Sequence, residues 1–339
     1  MFQYYAVGLL MEQIMFSIVL PAYNQGKNLQ ISLPNILNQS YGNFEVICVN
    51  DGSTDDTAVV IKSFQRDSRI ILVNQEYNKG TLSTRLLGAK TARGSYIMQF
   101  DPDDQFTSNN VLQQLADQLK SNSPDMLHFR MRHLFEPPIY KIEPYHWANP
   151  RVPHINNENL LFHLLVDDLS HMITGKLFKN EVYQKSITDL FELEKKHIVY
   201  IDDFALVFAL VHHSKTYFAS SIEGYDYYSY EDSVMGRLSQ LNKCKKYLQD
   251  TRNVYEASYK IVRNNYDEEF VDFVIRQTVS LQVSRLYEFS QKQFEEKDVF
   301  NMCRIVDADY LNDEQYEYII ERTCGYNIKW KTDRKCWVF

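Results

Sequence analysis

Three carboxylates lie within four residues at Asp101, Asp103 and Asp104, directly after the apolar run 96–100. Like charges this close repel one another unless a cation sits among them, and carboxylate oxygens are ligands that Mg²⁺ and Mn²⁺ prefer. A solvated turn before an acidic helix N-terminus would explain the same residues without a metal. An EF-hand calcium loop is excluded, because Phe106 stands where that loop needs glycine.

Polar residues also follow two earlier apolar runs. The segment PAYN (21–24) follows the run 16–20, and NDGS (50–53) follows the run 44–49. Ligands of an open parallel sheet bind outside the carboxyl ends of its strands, so these segments and the acidic run are expected to converge on one rim. The sequence contains neither a GxxxxGK[ST] nor a GxGxxG phosphate loop. Any phosphate at this rim must therefore be managed by the acids through a metal ion.

The elements that would position these residues alternate regularly in the first third of the chain. Apolar strand patterns at 16–20, 44–49, 69–73 and 96–100 are separated by amphipathic helix patterns. Strands separated by helices of this length predict crossover connections. The expected fold class is therefore α/β, with a Rossmann-like mixed, mainly parallel sheet flanked by helices.

The pattern changes after about residue 124, where a strand and several helical stretches follow, and from about residue 234 the chain predicts helices almost throughout. Helix N-caps are predicted at Asn28 and Ser108 from their residue types. The resulting domain prediction is an N-terminal extension (1–15), a ligand-binding half (16–125), a second half of the same domain (126–233) and a helical C-terminal region (234–339).

Composition excludes several classes of protein. The 339 residues carry a net charge of −8, and 45% of them are hydrophobic. A negative chain lacks the basic face that bulk nucleic acid requires, and the apolar fraction is that of a globular protein.

The five cysteines include no CxxC pair, so neither a disulfide framework nor a zinc site is predicted. The N-terminal residues fit neither a signal peptide nor a membrane span, which favours the cytoplasm, with contact at the cytoplasmic membrane face left open.

The order of the motifs PAYN, VNDGSTDDT and DPDD resembles the nucleotide-binding half of a bacterial-type, DxD-containing family 2 glycosyltransferase. The close resemblance covers residues 16–110. A looser similarity continues through GKLFKNEVYQKSI and HIVYIDDFALVFAL. The resemblance implies a GT-A fold, here followed by a C-terminal helical extension.

The resemblance also implies a site for a UDP-sugar and a divalent metal. In the family, residues at these positions pack on the uracil, accept its N3–H, and bind the diphosphate and the ribose. The implied donor-binding residues are Pro21, Ala22, Tyr23, Asn24, Asp51, Arg85 and Asp103. The implied ligands of Mn²⁺ or Mg²⁺ are Asp103 and Asp104, with Asp101 as a further member.

Some of these residues have a second interpretation. Leu86 stands where the family usually has asparagine, so Arg85 is either a diphosphate contact or a helix-surface arginine. The pair Asp202 and Asp203 matches the segment that supplies the family's catalytic base, and Asp203 is assigned to that role. An acid pair stabilised by a helix dipole is the alternative. Lys176 is either a donor or acceptor contact or a surface residue.

The implied activity is inverting, metal-dependent transfer of a hexosyl or N-acetylhexosaminyl group from a UDP-sugar to a hydroxyl of a glycan or glycoconjugate, as in polysaccharide biosynthesis. Two alternatives stay open: a catalytically inactive nucleotide-sugar-binding module, and a nucleotidyltransferase that makes an NDP-sugar. No nucleic-acid partner is expected. The donor sugar, the acceptor and the role of the C-terminal helices, whether in a homo-oligomer or at a membrane, are left open by the sequence.

Overall fold

The computed structural model describes residues 13–135, 142–144, 148–156, 159–166, 168–229, 241–271, 329–331 and 336–338. The strands are β1 (Phe16–Ala22), β2 (Phe44–Asp51), β3 (Ile70–Gln75), β4 (Tyr96–Gln99), β5 (Gln105–Phe106), β6 (Met126–Phe135), β7 (Ile142–Pro144), β8 (His154–Asn156), β9 (Lys176–Lys179), β10 (Thr216–Ser229), β11 (Lys329–Lys331) and β12 (Cys336–Val338). The helices are α1 (Gly26–Leu37), α2 (Thr57–Phe64), α3 (Thr81–Thr91), α4 (Val111–Asn122), α5 (Leu160–Leu165), α6 (Asn180–Asp189), α7 (Phe191–Glu194), α8 (Asp202–His213) and α9 (Leu241–Arg263).

Within the described residues, ten strands form one mixed sheet in the order β3-β2-β1-β4-β9-β6-β10-β5, with β7 beside β6 and β8 beside β10. The four strands predicted in the first third, β1 to β4, are parallel to one another, as their crossover helices require. Strand β9 then runs antiparallel to both β4 and β6, and β6 is parallel to β10. The expected mixed sheet is confirmed, and its parallel part is the part that the alternating pattern predicted.

Strands β1 and β2 are buried along their whole length, because helices cover both faces of the sheet. Successive side chains of a strand point to opposite faces. Accordingly Phe16, Ile18 and Leu20 pack in one cluster with residues of α1 and α4. Val19 packs in the other cluster with residues of α3, α6 and α8. The carboxyl ends of β1, β2 and β4 are left at one rim of this three-layered core.

The two predicted N-caps are wrong. Asn28 lies inside α1, which begins at Gly26, and its side chain donates to Gln25 Oε1 at 2.6 Å. Ser108 stands two residues before Asn110, which precedes α4, and its hydroxyl donates to Asn110 Oδ1 at 2.7 Å. Both polar groups bond to a neighbouring side chain instead of a helix N–H group, which is the competing use of such residues.

The predicted C-terminal helical region begins as expected with α9, a helix of 23 residues. In the same region β11 and β12 form an antiparallel pair, so the expectation of helices almost throughout is wrong there. Aromatic residues favour strands, and Trp330 pairs with Trp337 in this ladder. Residues 1–12, 230–240 and 272–328 of the predicted regions lie outside the described residues.

The boundaries proposed between the regions stay predictions. No helix among the described residues is both long enough and apolar enough to cross a membrane.

Gly88 marks the close approach of α3 to the sheet. A Cβ atom at this position would lie 2.2 Å from Val19 Cγ1 and 3.2 Å from Val49 Cγ2. We predict that Gly88→Ala lowers the free energy of unfolding by about 1–2 kcal/mol, because overpacking against a stiff β-branched side chain outweighs the gain in helix propensity. Urea denaturation measures the effect. Gly42→Ala is the control, since its Cβ would meet nothing within 4 Å. Equal midpoints for the two variants would contradict the contact.

Candidate active site

The loops that follow β1 and β2 are joined by hydrogen bonds at the rim of the sheet. Asn24 adopts a left-handed conformation with φ 54°. Its Oδ1 accepts from the Thr54 N–H at 2.9 Å, and its own N–H donates to Ser53 Oγ at 3.0 Å. Asparagine tolerates this conformation better than most residues. Asn24 therefore acts as the link that sets the distance between the two loops.

The other donor-binding residues predicted at the end of β1 differ in their exposure to solvent. Pro21 continues β1 in register with Val49 of β2. Ala22 is buried, whereas Tyr23 is 45% exposed. Of the residues predicted to pack on a base, Tyr23 is therefore the one that presents surface to a ligand.

Asp51 ends β2 and is buried. Its Oδ1 accepts from Gln75 Nε2 at 2.8 Å and from the Lys79 N–H at 2.7 Å, and its Oδ2 accepts from the Gly80 N–H at 3.1 Å. A carboxylate offers about four lone-pair directions, so one direction remains after these three bonds. Gln75 was missed by the sequence analysis, because a glutamine at the end of a strand belongs to no recognised motif.

Gly52 brings the loop after β2 into contact with the loop after β3. Its φ of 65° lies in the left-handed region. A Cβ atom here would lie 2.5 Å from the Tyr77 carbonyl carbon and 2.7 Å from the Asn78 nitrogen. Only glycine allows both the conformation and this approach. The loops after β1, β2 and β3 therefore form one continuous wall.

Arg85 of α3 is the charged centre of the site. Its side chain is buried, so the helix-surface interpretation is wrong. Arg85 Nη2 lies 2.9 Å from Asp101 Oδ1 and 3.4 Å from Asp203 Oδ1, and Arg85 Nε donates to Asp202 Oδ2 at 3.0 Å. Burial lowers the pKa of Arg85, but the charges of these three aspartates raise it well above its usual value. One guanidinium thus joins the loop after β4 to the N-terminus of α8.

The two acids of α8 differ in their access to solvent. The Asp203 side chain is 31% exposed and the Asp202 side chain only 13%. Partial burial raises the pKa of Asp203 to about 7, although the Arg85 charge acts in the opposite direction. Burial also raises the pKa of Asp202, which Arg85 holds directly by a hydrogen bond. Of the two acids, Asp203 therefore presents more of its side chain to solvent.

The loop after β4 that carries the three acids (101–104, the acidic loop) is held in place by strand β10. Tyr225 donates its hydroxyl to Asp104 Oδ2 at 2.6 Å and accepts from the Asp101 N–H at 3.1 Å. The Tyr228 N–H donates to Asp104 Oδ1 at 2.9 Å. Burial and the charges of Asp103 and Asp101 raise the pKa of Asp104 well above its usual value. Burial and the charge of Asp101 also raise the pKa of Asp103, to about 6.

The donor set of this loop fits a divalent cation. Burial and the neighbouring carboxylates raise the pKa values of Asp103 and Asp104, and a bound cation would favour the ionised form of both groups. Mg²⁺ is usually held by one or two carboxylates together with substrate phosphates. Asp103 and Asp104 can provide that pair. Asp101 instead directs its Oδ1 to Arg85, so its predicted role as a further ligand has a competing partner in the structure.

Lys176 of β9 was open to two interpretations, and the surface interpretation is wrong. Its side chain is buried, and its ammonium group donates to the Met172 carbonyl oxygen. Burial lowers the pKa of Lys176 to about 7, with the charge of Asp203 acting against that shift. Lys176 therefore lies inside the core, close enough to Asp203 for that charge to affect the pKa of the ammonium group.

A second group of possible metal-binding side chains lies at the far end of α8. Ligand atoms of Asp189, His212 and His213 all lie within 4.8 Å of one another, which no other His, Cys, Asp or Glu trio among the described residues does. His213 Nε2 lies 2.6 Å from Asp189 Oδ2, and His212 Nδ1 lies 3.0 Å from the Tyr266 hydroxyl. These pairings explain the cluster without an ion.

The family described as Glycosyl transferase family 2 matches residues 17–185. This segment contains the loops after β1, β2 and β4 and also Arg85. The chain belongs to glycosyl transferase family 2. Asp202 and Asp203 lie beyond the matched segment, so their place in the site rests on the geometry around Arg85.

Curated relatives match over about a third of the chain. Glycosyltransferase GlyG of Streptococcus pneumoniae serotype 4 is 34% identical over 114 residues, 33% of this chain and 38% of that protein. WfgD of Escherichia coli, named UDP-Glc:alpha-D-GlcNAc-diphosphoundecaprenol beta-1,3-glucosyltransferase, is 35% identical over 112 residues, 33% of this chain and 44% of that protein. The matches thus span less than half the length of these relatives.

The fold has a solved counterpart. Residues 1–349 of Staphylococcus aureus TarS, in complex with UDP-GlcNAc, align with a TM-score of 0.64 at 17% identity, covering 92% of this chain and 83% of that chain. At this level of identity the similarity concerns the fold alone. It confirms the expected GT-A architecture of the mixed sheet and its flanking helices.

We predict that Arg85→Met destabilises the fold in a pH-dependent way. The Arg85 charge lowers the pKa of Asp202 and of Asp203, so without the guanidinium the folded-state pKa values of these two acids rise further above the unfolded value. A carboxyl group whose folded-state pKa is raised stabilises the fold fully only below its unfolded pKa. This contribution is lost as the pH rises through the folded-state pKa. The loss relative to the wild type should be small near pH 4 and about 3–5 kcal/mol near pH 8. Urea denaturation at the two pH values measures it.

Lys120→Met is the control for this experiment. Lys120 pairs with Asp117 on the surface of α4, so its removal should leave the unfolding midpoint unchanged at either pH. A loss for Arg85→Met that is the same at both pH values would mean that the aspartates are not held by this arginine.

Proposed function

We propose that this protein is an inverting, metal-dependent glycosyltransferase that moves a sugar from a UDP-sugar to a hydroxyl group of a glycan or glycoconjugate acceptor. The observation that carries the proposal is the ion-pair network of Arg85, which brings Asp101 of the acidic loop within reach of the acid pair of α8. This network supports the proposal, because Arg85 and the acidic loop would suit a leaving diphosphate and the neighbouring carboxylate of α8 would suit an acceptor.

The nucleotide would bind along the wall formed by the loops after β1, β2 and β3. Tyr23 offers its exposed ring to the base, and Pro21, Ala22 and Asn24 shape the backbone beside it. The remaining lone-pair direction of Asp51 would accept the uracil N3–H, because a carboxylate favours a base edge with a central donor. The three bonds to Asp51 hold its oxygens in place for this contact.

The diphosphate would lie between the acidic loop and Arg85. Asp103 and Asp104 would hold Mn²⁺ or Mg²⁺, and a bound divalent cation supplies Lewis acidity toward the leaving diphosphate. Asp103 would also contact the ribose. Arg85 Nη1 is buried and has no hydrogen-bond partner among the described residues, so we assign it as a donor to a diphosphate oxygen.

Asp203 would act as the general base. Its more exposed carboxylate would accept the proton of the acceptor hydroxyl while that oxygen attacks the anomeric carbon from the face opposite the diphosphate. A single base and one direct displacement invert the configuration at that carbon. Asp202, held by Arg85 and less exposed, would keep the guanidinium oriented and contribute charge to the site.

The relatives support the kind of substrate. The WfgD name specifies a UDP-glucose donor and a lipid-linked acceptor, and the TarS structure holds UDP-GlcNAc. A hexosyl or N-acetylhexosaminyl donor and a role in polysaccharide biosynthesis are therefore proposed for this chain. We also propose that it acts in the cytoplasm and that it binds no nucleic acid, the latter in keeping with its net charge of −8.

We predict that Asp203→Asn retains UDP binding but loses transfer by about 10²–10⁴-fold, because the amide cannot accept the acceptor proton. Titration calorimetry with UDP and a UDP-release assay with UDP-glucose and UDP-GlcNAc measure the two properties. Asp202→Asn is the matched variant and should lose less activity. Full activity in Asp203→Asn together with loss in Asp202→Asn would reverse the assignment of the base.

The same assay separates the proposed activity from its alternatives. UDP bound by the wild type without any release across a broad panel of donors and acceptors would indicate an inactive binding module. Formation of an NDP-sugar from a sugar phosphate and a nucleoside triphosphate would indicate a nucleotidyltransferase.

We predict that EDTA abolishes turnover and that Mn²⁺ or Mg²⁺ restores it, because Asp103 and Asp104 lack a sufficient counter-charge without a cation. Asp103→Asn should lower activity and raise the metal concentration needed for half-maximal rate. Asp117→Asn, an exposed acid on α4, is the control and should behave as the wild type. Unchanged turnover in EDTA would remove the metal from the mechanism.

A further inference from the structure

The segment 197–201 leads directly into the acid pair at the start of α8. Two of its residues, His197 and Ile201, have φ 52°. The left-handed region is unfavourable for a β-branched residue such as isoleucine and persists only where the surroundings hold it. What holds this segment therefore also sets the direction in which Asp202 and Asp203 enter the site.

Helix α9 of the C-terminal region holds one side of the segment through Asp250. This side chain is fully buried, and its Oδ2 accepts from the Val199 N–H at 3.1 Å and the Tyr200 N–H at 3.2 Å. Lys246, one turn earlier on α9, donates to Asp250 Oδ1 and also to the His197 carbonyl oxygen, the latter at 2.6 Å. A buried carboxylate needs such donors. Here three of the bonds from α9 go to the backbone of the segment.

The donor-binding half holds the opposite side of the segment. His197 Nε2 lies 2.8 Å from Asn78 Oδ1, and the Leu82 N–H donates to the Ile198 carbonyl oxygen at 3.3 Å. A Cβ atom on Gly80 would lie 2.7 Å from that same carbonyl oxygen. The segment before the acid pair is thus clamped between α9 and the loop that binds Asp51.

We infer that Asp250 is a positioning residue for the proposed general base, fixing where Asp203 stands relative to a bound donor. The inference rests on the proposed function, since it takes Asp203 as the base. Asp250 acts through the backbone of the intervening segment and itself touches no substrate. Misplacing a reacting group by roughly 1 Å can reduce a rate on the order of 100-fold, so a rigid support for this segment matters to turnover.

The test compares Asp250→Ala with the wild type in the full-length protein. The probes are UDP for binding, by calorimetry, and UDP-glucose and UDP-GlcNAc with Mn²⁺ for turnover, by UDP release. We expect kcat to fall about 10- to 100-fold while the Kd for UDP changes less than about 3-fold. Glu256→Gln is the matched control, because it breaks an ion pair of the same spacing on α9, with Arg252, and should leave kcat unchanged.

Two further variants separate positioning from loss of fold. Lys246→Met removes the bond to the His197 carbonyl oxygen from a partly exposed position and should reduce kcat by a smaller factor than Asp250→Ala. The double variant Asp250→Asn with Lys246→Met keeps an oxygen acceptor for the Val199 and Tyr200 N–H groups and leaves no ammonium against the new amide. It should recover most of the lost kcat, which a general loss of stability would not predict.

The outcomes are distinguishable from failure of the proposed function. If the wild type turns over and Asp203→Asn does not, but Asp250→Ala keeps the wild-type kcat, the positioning role is overturned and the proposed function stands. Equal losses in Asp250→Ala and in the double variant would also overturn it. If the wild type binds UDP but releases none from either donor, the proposed activity itself fails.

Discussion

A single buried guanidinium holds the candidate site together. Arg85 faces three aspartates from two distant parts of the chain, and two more aspartates lie beside one of them in the acidic loop. Burial raises the pKa values of Asp103, Asp104 and Asp203, and the charges of neighbouring aspartates raise them further. A buried ion pair contributes little net stability by itself, but losing one partner is strongly unfavourable. The network therefore serves to specify an arrangement of acids from the loop after β4 and from α8.

The parallel half of the fold could be predicted because its signals are local. Each strand from β1 to β4 is an apolar run followed by a helix pattern, and the rule that ligands bind at the carboxyl ends of such strands located the rim. The residues at that rim belong to ordered motifs, which is why Asp51, Asp103 and Asp104 could be named. The helix N-caps predicted at Asn28 and Ser108 were wrong, because each side chain bonds to a neighbouring side chain instead of a helix N–H group.

What could not be predicted depends on contacts between distant segments. From the sequence Arg85 is open to two interpretations, a ligand contact or a surface residue of α3, until the acid pair of α8 is placed against it. Lys176 reads the same way until β9 inserts between β4 and β6 and directs it inward. Asp250 stands in a charged amphipathic helix where an acid is unremarkable. Its importance arises from two backbone N–H groups on another element, and backbone groups carry no sequence signal.

The hydrogen bonds between Tyr225 and the acidic loop have a consequence for folding during synthesis. Tyr225 is separated from Asp104 by 121 residues. Chains emerge from the ribosome N-terminus first, and domains fold as their segments become available. Strands β1 to β4 are therefore synthesised well before β10 can supply the hydroxyl group that orients the loop. Until β10 adds to the sheet, the acids of the loop after β4 in the nascent chain lack the hydrogen bonds that orient them.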